Sequence, residues 1–146
     1  KELAADDKAY RSVTKSWFSN SPLLKIIRQA QHLGLKLILT TDHGTINVKH
    51  PSKLIGDRET SINLRYKTGR SLTYKDKDAY ASKEPERIGL PSLTMNSSFV
   101  FAKSDAYFVY PNNYNYFVNY YRNSFQHGGV SLEEMIVPLI ICDPKS

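Results

Sequence analysis

Cysteine and long apolar runs are both scarce in this chain of 146 residues. The single cysteine, Cys142, excludes an internal disulfide framework and suits a reducing compartment. No apolar run approaches the roughly 20 residues needed to span a bilayer, and no segment has the pattern of a signal peptide. We therefore expect a cytoplasmic protein.

Acidic side chains are also outnumbered, with 14 Asp and Glu against 20 Lys and Arg, for a formal charge of +6. Such a surplus attracts anions, whether phosphates, nucleotides or nucleic acid, although a soluble surface that happens to be basic remains the alternative. Internal repeats and low-complexity tracts are absent. With 40% hydrophobic residues, the composition indicates one compact globular domain or a large piece of one.

The first forty residues have the pattern of an α/β unit. Apolar residues at helical spacing predict a helix over 6–19, and Ser21-Pro22 then begins a second helix that Gly34 ends. The apolar run Leu35–Thr40 predicts a strand that is buried and central in a sheet. Sheet and helices together give the predicted fold class, α/β.

The rest of the chain alternates polar and apolar segments. Residues 44–95 form a polar insertion with a short strand at 45–48, and the segment 73–87 is either a surface helix or a mobile flap. Residues 98–102 and 106–110 predict a β-hairpin. A tyrosine-rich helix follows over 114–121, and Ser131 with Glu134 predicts a capping box before a closing strand at 135–141.

Two short segments carry candidate metal ligands. Asp42 and His43 follow the predicted strand, at the end where α/β sheets place ligands, and Gly44 permits the turn that would let both reach one ion. His127 precedes two glycines, which leaves its ring free to approach an ion. A capped turn at Asp42 and an ordinary loop histidine at His127 remain open as structural interpretations.

A basic strip between these two segments is a candidate phosphate-binding site. Within residues 56–70 it includes Arg58, Arg65 and Lys67. Guanidinium groups can form paired hydrogen bonds to phosphate oxygens. A solvated charged face explains the same residues equally well.

Taken together, these segments resemble the PglZ domain of the alkaline phosphatase superfamily. The strand ending in residues 40–44 is similar to a metal-binding loop of that superfamily, and residues 125–138 are similar to its late histidine motif in the PglZ branch. The segment 56–67 is most similar to PorX-type proteins, which join a CheY-like receiver domain to a PglZ domain and regulate type IX secretion. The resemblance covers essentially the whole chain.

The resemblance implies a two-zinc site at the ends of the strands of an alkaline-phosphatase-like sheet. Asp42 and His43 would bind one zinc and His127 the other, with the nucleophile and the remaining ligands upstream. Residues 1–146 would thus form the C-terminal portion of a single PglZ domain without a receiver domain. We expect such a portion to be inactive, to bind zinc weakly and to associate with copies of itself through an uncovered face.

The implied reaction is hydrolysis of a phosphodiester, in a nucleotide or oligonucleotide, with Arg58, Arg65 and Lys67 holding phosphate oxygens. Two other functions remain open. The domain could be a catalytically silent regulatory module that binds a protein such as a sigma factor or a secretion component. It could also be a nucleic-acid-binding domain, whose affinity would fall steeply with salt.

Overall fold

The structure is a computed structural model that describes residues 6–57, 61–91 and 98–144. Contacts divide the chain into two compact units, one made of the chain up to Thr41 together with the chain from Pro138, the other of Asp42–Val137. Among the described residues, no helix is long and apolar enough to cross a membrane. In chain order the helices and strands are α1 (Asp7–Asn20), α2 (Pro22–His32), β1 (Leu37–Thr40), β2 (Ile46–Asn47), β3 (His50–Lys53), β4 (Tyr66–Gly69), β5 (Ala79–Ser82), β6 (Ser98–Ala102), β7 (Ala106–Val109), α3 (Tyr114–Tyr121), β8 (Phe125–Gln126), α4 (Leu132–Met135) and β9 (Leu139–Cys142).

The first unit contains α1, α2 and an antiparallel pair, β1 with β9. Both predicted helices are confirmed: Pro22 is the first residue of α2, and Gly34 follows its end with a left-handed φ of 64°. The expectation of a buried central strand is not met in the described residues. There β1 pairs with β9 alone, and Ile38 is 59% exposed.

The described residues of the second unit form three small sheets and two apolar clusters. β4, β6 and β5 form an antiparallel sheet in that order, β3 pairs in parallel with β7, and β2 pairs with β8. Leu54, Val100 and Phe108 belong to one cluster. The other lies under α3, where Val118 packs with Val48 and neighbouring residues. The α/β class is therefore confirmed, as a mixed arrangement of small sheets and helices consistent with an alkaline-phosphatase-like fold.

The predicted β-hairpin is wrong in its pairing. Both strands exist as β6 and β7, but β6 pairs with β4 and β5 while β7 pairs with β3. The turn between them explains the divergence, because its main chain bonds to other segments. Lys103 donates its N–H to the Asp78 oxygen, and the Asp105 oxygen accepts the N–H groups of Lys49 and His50.

The polar insertion is more regular than its sequence indicates. The segment 73–87, predicted as a surface helix or a mobile flap, instead contributes β5 to the three-stranded sheet, between two short 3₁₀ turns. Ala79 of β5 is buried, and its strand pairs with β6 over four residues. The strand was not predicted because the segment alternates charged residues without an apolar pattern. Its pairing partner, β6, lies about 20 residues further along the chain.

Candidate metal centre

Asp42 and His43 lie on a tight loop that packs against α4. The Asp42 carboxylate accepts the N–H of His43 at 3.0 Å. Gly44 donates its own N–H to the main-chain oxygen of Glu134 at 2.9 Å. A Cβ at Gly44 would lie 1.8 Å from the main-chain oxygen of Glu133, so only glycine allows this close approach. The loop is thus fixed by contact with α4, and its glycine is needed for space.

His127 reaches the same place from β8. Pairing of β2 with β8 sets Ile46 opposite Gln126, which brings the residues just before β2 beside those just after β8. Gly128 follows with a left-handed φ of 104°, a conformation that side-chain-bearing residues rarely adopt. Strand register and this turn together direct His127 toward His43.

The two histidine rings stack on each other at the surface. Their centroids are 4.0 Å apart and their planes differ by 14°. An Asp42 carboxylate oxygen lies 3.8 Å from Nε2 of His43, and the side chains of Asp42 and His43 are 87% and 42% exposed. The structure therefore brings together the three residues that the sequence predicted as metal ligands, within reach of solvent.

The donor chemistry of this cluster suits zinc, which binds imidazole nitrogen and carboxylate oxygen. Nδ1 of His43 lies 3.0 Å from the main-chain oxygen of Gly44. Because a carbonyl oxygen can only accept, a neutral ring making this bond carries its proton on Nδ1 and presents the Nε2 lone pair to a ligand. The described residues contain no group of three or more His, Cys, Asp or Glu arranged to hold an ion. Asp42, His43 and His127 offer donor atoms that suit zinc, but within the described part of the chain they do not form a complete metal site.

Two basic residues of the strip, Arg65 and Lys67, do not lie on the surface. Arg58 is outside the described residues. Arg65 has no exposed area, and its guanidinium donates to both carboxylate oxygens of Glu134, at 2.8 and 2.5 Å, and to the main-chain oxygens of Ala102 and Ala106. These contacts leave it no surface for a substrate phosphate, and its position fits a structural role.

Lys67 is also buried, with 1% of its area exposed. Its Nζ donates to the main-chain oxygen of Ser61 at 2.7 Å and lies 4.3 Å from the centre of the Tyr110 ring. Burial lowers the pKa of this amine to about 8. In this arrangement Lys67 fastens Ser61 to β4, and a contact with substrate would require it to leave these partners.

Glu134 is the important residue whose role the sequence did not indicate in full. The predicted capping box is present, with the Glu134 carboxylate accepting from Ser131. The same carboxylate accepts the N–H of Gly129 at 2.9 Å and the guanidinium of Arg65. Burial alone would raise the pKa of Glu134, but the hydrogen bonds from Arg65, Ser131 and Gly129 outweigh it and leave the pKa below its ordinary value.

Comparison with known families identifies the chain. The family described as the BREX system PglZ alkaline phosphatase-like domain matches residues 2–142. The chain belongs to the PglZ family. This places it in the alkaline phosphatase-like superfamily of phosphoester hydrolases, as the resemblance of residues 40–44 and 125–138 implied. A search of curated proteins finds no match to this PglZ chain.

Proposed function

We propose that this PglZ chain supplies part of a zinc-dependent phosphoesterase site, with Asp42 and His43 binding one zinc ion and His127 a second. The observation that carries the proposal is the surface stack of His43 on His127 at 4.0 Å, beside the exposed carboxylate of Asp42. These residues come from two segments that are distant in the sequence. Membership of an alkaline phosphatase-like family supports a role in phosphoester hydrolysis for the place where they meet.

Each of the three residues has a definite task in this proposal. The carboxylate of Asp42 and Nε2 of His43 face each other and supply an oxygen and a nitrogen to one ion. The hydrogen bond from Nδ1 to the Gly44 oxygen fixes the tautomer and orientation of His43. Bound zinc would supply positive charge to a phosphoryl oxygen and lower the pKa of a hydroxyl nucleophile.

The proposal requires more donors than the described residues bring together. Catalytic zinc takes three protein ligands and a water, so three ligands shared between two ions leave both sites open. We assign the nucleophile and the remaining ligands to polypeptide that is not part of this sequence. The chain by itself should then bind zinc weakly and turn over no substrate.

The substrate we propose is a phosphodiester in a nucleotide or oligonucleotide. The net charge of +6 would favour anions of this class. The residues 56–67 also favour a PorX-type setting, a response regulator that controls protein secretion. Because Arg65 and Lys67 are buried, we do not assign the phosphate contact to them, and Arg58 remains the candidate from the basic strip.

The test is hydrolysis of bis(p-nitrophenyl) phosphate, with and without zinc, by a longer polypeptide that carries these 146 residues. We expect turnover that needs zinc and that falls by more than about 100-fold in Asp42→Ala and in His127→Ala, since each change removes a ligand. His32→Ala is the matched control, because His32 is an exposed histidine at the end of α2 and should leave turnover unchanged. Full activity in the Asp42 and His127 variants would refute the assignment.

A regulatory binding module is the second candidate, and exposed aromatic residues on α3 favour it. Tyr116 and Tyr120 are 63% and 59% exposed, and their rings stack at 6.0 Å. Such a surface is typical of protein contact sites. Binding of a sigma factor or secretion protein that survives Asp42→Ala combined with His127→Ala, but is lost in Tyr116→Ala combined with Tyr120→Ala, would favour this function over hydrolysis.

A further inference from the structure

The main chain and the side chain of Glu134 hold different parts of the candidate metal centre. Its main-chain oxygen accepts the N–H of Gly44, the residue after His43, at 2.9 Å. Its carboxylate accepts the N–H of Gly129, two residues after His127, at 2.9 Å, and that of Ser131 at 3.2 Å. One residue therefore fastens both histidine-bearing loops.

The carboxylate of Glu134 is itself held in place. Arg65 donates to both of its oxygens, and the two side chains are 0% and 2% exposed. Two parallel hydrogen bonds between buried charges permit little movement of the Glu134 carboxylate, because separating it from Arg65 would leave both charges buried and unpaired. Arg65 is anchored in turn on the main-chain oxygens of Ala102, the last residue of β6, and Ala106, the first residue of β7.

The two glycines show how closely these parts fit. A Cβ at Gly129 would lie 2.5 Å from the Arg65 guanidinium and 2.6 Å from the Ala102 oxygen. A Cβ at Gly44 would lie 1.8 Å from the Glu133 oxygen. Neither glycine has a left-handed φ, so at both positions the reason for glycine is space rather than backbone conformation.

We propose that Glu134, held by Arg65, is a positioning residue that sets the distance between His43 and His127. This inference rests on the proposed function for its catalytic meaning, but the geometry it describes is a property of the chain's own residues. In this proposal Arg65 is a buried residue that holds Glu134 in place. The sequence had instead predicted that Arg65 contacts a substrate phosphate.

The test uses Glu134→Gln and Gly44→Ala in the full 146-residue chain. The first removes the charge that Arg65 needs, and the second pushes the His43 loop away from α4. The control is Gly89→Ala, which strains a left-handed φ of 73° where a Cβ would meet nothing within 4 Å. It should lower stability without touching either histidine loop.

The first readout is the imidazole NMR spectrum of the metal-free protein, which contains four histidines. Stacked rings shift each other's proton signals, so we expect Glu134→Gln and Gly44→Ala to move the signals of His43 and His127 while those of His32 and His50 stay in place. Gly89→Ala should move none of them. If Glu134→Gln fails to fold, Gly44→Ala carries the test, because it leaves the buried Arg65–Glu134 pair in place and disturbs only the contact of Gly44 with α4.

The second readout is zinc affinity by calorimetry, in which loss of a supporting contact should weaken binding by about 10- to 100-fold. Unchanged histidine signals in both variants would overturn the inference, as would unchanged zinc affinity in variants whose signals have moved. If the parent chain shows no zinc binding and the longer polypeptide no hydrolysis, the proposed function fails, while the NMR comparison still decides whether Glu134 positions the histidines.

Discussion

Replacing Arg65 by methionine tests the most deeply buried ion pair among the described residues. Methionine keeps much of the side-chain length but leaves the Glu134 carboxylate, which is almost fully buried, without its positive partner. Breaking a buried ion pair from one side costs about 3–5 kcal/mol of unfolding free energy. Gly129 and Ser131 still donate to the carboxylate, so we expect a loss of about 3 kcal/mol at pH 7, at the lower end of that range.

The loss should depend on pH in a defined direction. In the parent chain the pKa of Glu134 is lowered, so its stabilising effect is present above the ordinary carboxyl pKa and is lost as pH falls through the lowered value. Without Arg65, the hydrogen bond that most lowers the pKa of Glu134 is lost while the burial that raises it remains, so the pKa of Glu134 should rise. The variant should then take up a proton at a higher pH than the parent, which removes its unpaired buried charge, and the difference in stability between parent and variant should shrink from pH 7 toward pH 4.

The assay is urea unfolding followed by circular dichroism at several pH values between 4 and 7. A matched control exists in Arg87, which pairs with Glu84 at 2.7 Å on the surface, with side chains 81% and 61% exposed. Arg87→Met should cost no more than about 0.5 kcal/mol, with little change across this pH range. A loss at Arg65 as small as that at Arg87, or one that does not vary with pH, would refute the reasoning.

Two further substitutions test the interior of the second unit. Since Lys67 has a pKa lowered to about 8, the folded chain binds fewer protons than the unfolded chain above that pH, and stability should rise between pH 8 and 10. Relative to Lys67→Met, the rise should be about 1–2 kcal/mol after allowance for screening, and parallel pH profiles in urea unfolding would contradict it. Gly129→Ala places a methyl group against Arg65 and the Ala102 oxygen and should cost about 1–3 kcal/mol in the same assay, whereas an unchanged unfolding midpoint would show that the loop yields freely.

Local patterns in the sequence were enough to predict most elements of secondary structure. The helices after Asp6 and Ser21, the capping box of α4 and the strands β6 and β7 depend on neighbouring residues, and the structure confirms them. Pairing was the weak point, because the partner of a strand is a property of distant segments. β6 and β7 look like a hairpin from their short connection, yet each pairs with strands elsewhere in the chain.

The site shows the same division between local and distant information. Asp42, His43 and His127 could be proposed as ligands because they belong to two recognisable short motifs. The structure places them together, and their binding of a metal stays a prediction. The burial of Arg65 was not predicted, because both interpretations of its sequence segment, a phosphate contact and a solvated face, place it at the surface. The observed role needs Glu134, a partner 69 residues away. From the sequence, Glu134 could be linked only to Ser131, its neighbour in the capping box.

The capping box links the local and the distant parts of this site. A capping glutamate ordinarily bonds the main chain at the start of its own helix, and here that bond holds the residues that follow His127. Helix α4 has only four residues and gains little stability from its own hydrogen bonds. The position of α4 therefore depends on contacts with other segments. Arg65 donates to the carboxylate of Glu134, and Gly44 donates to its main-chain oxygen. The Arg65–Glu134 pair thus supports both loops that carry the stacked histidines, and a change at that buried pair should alter the arrangement of the two rings at the surface.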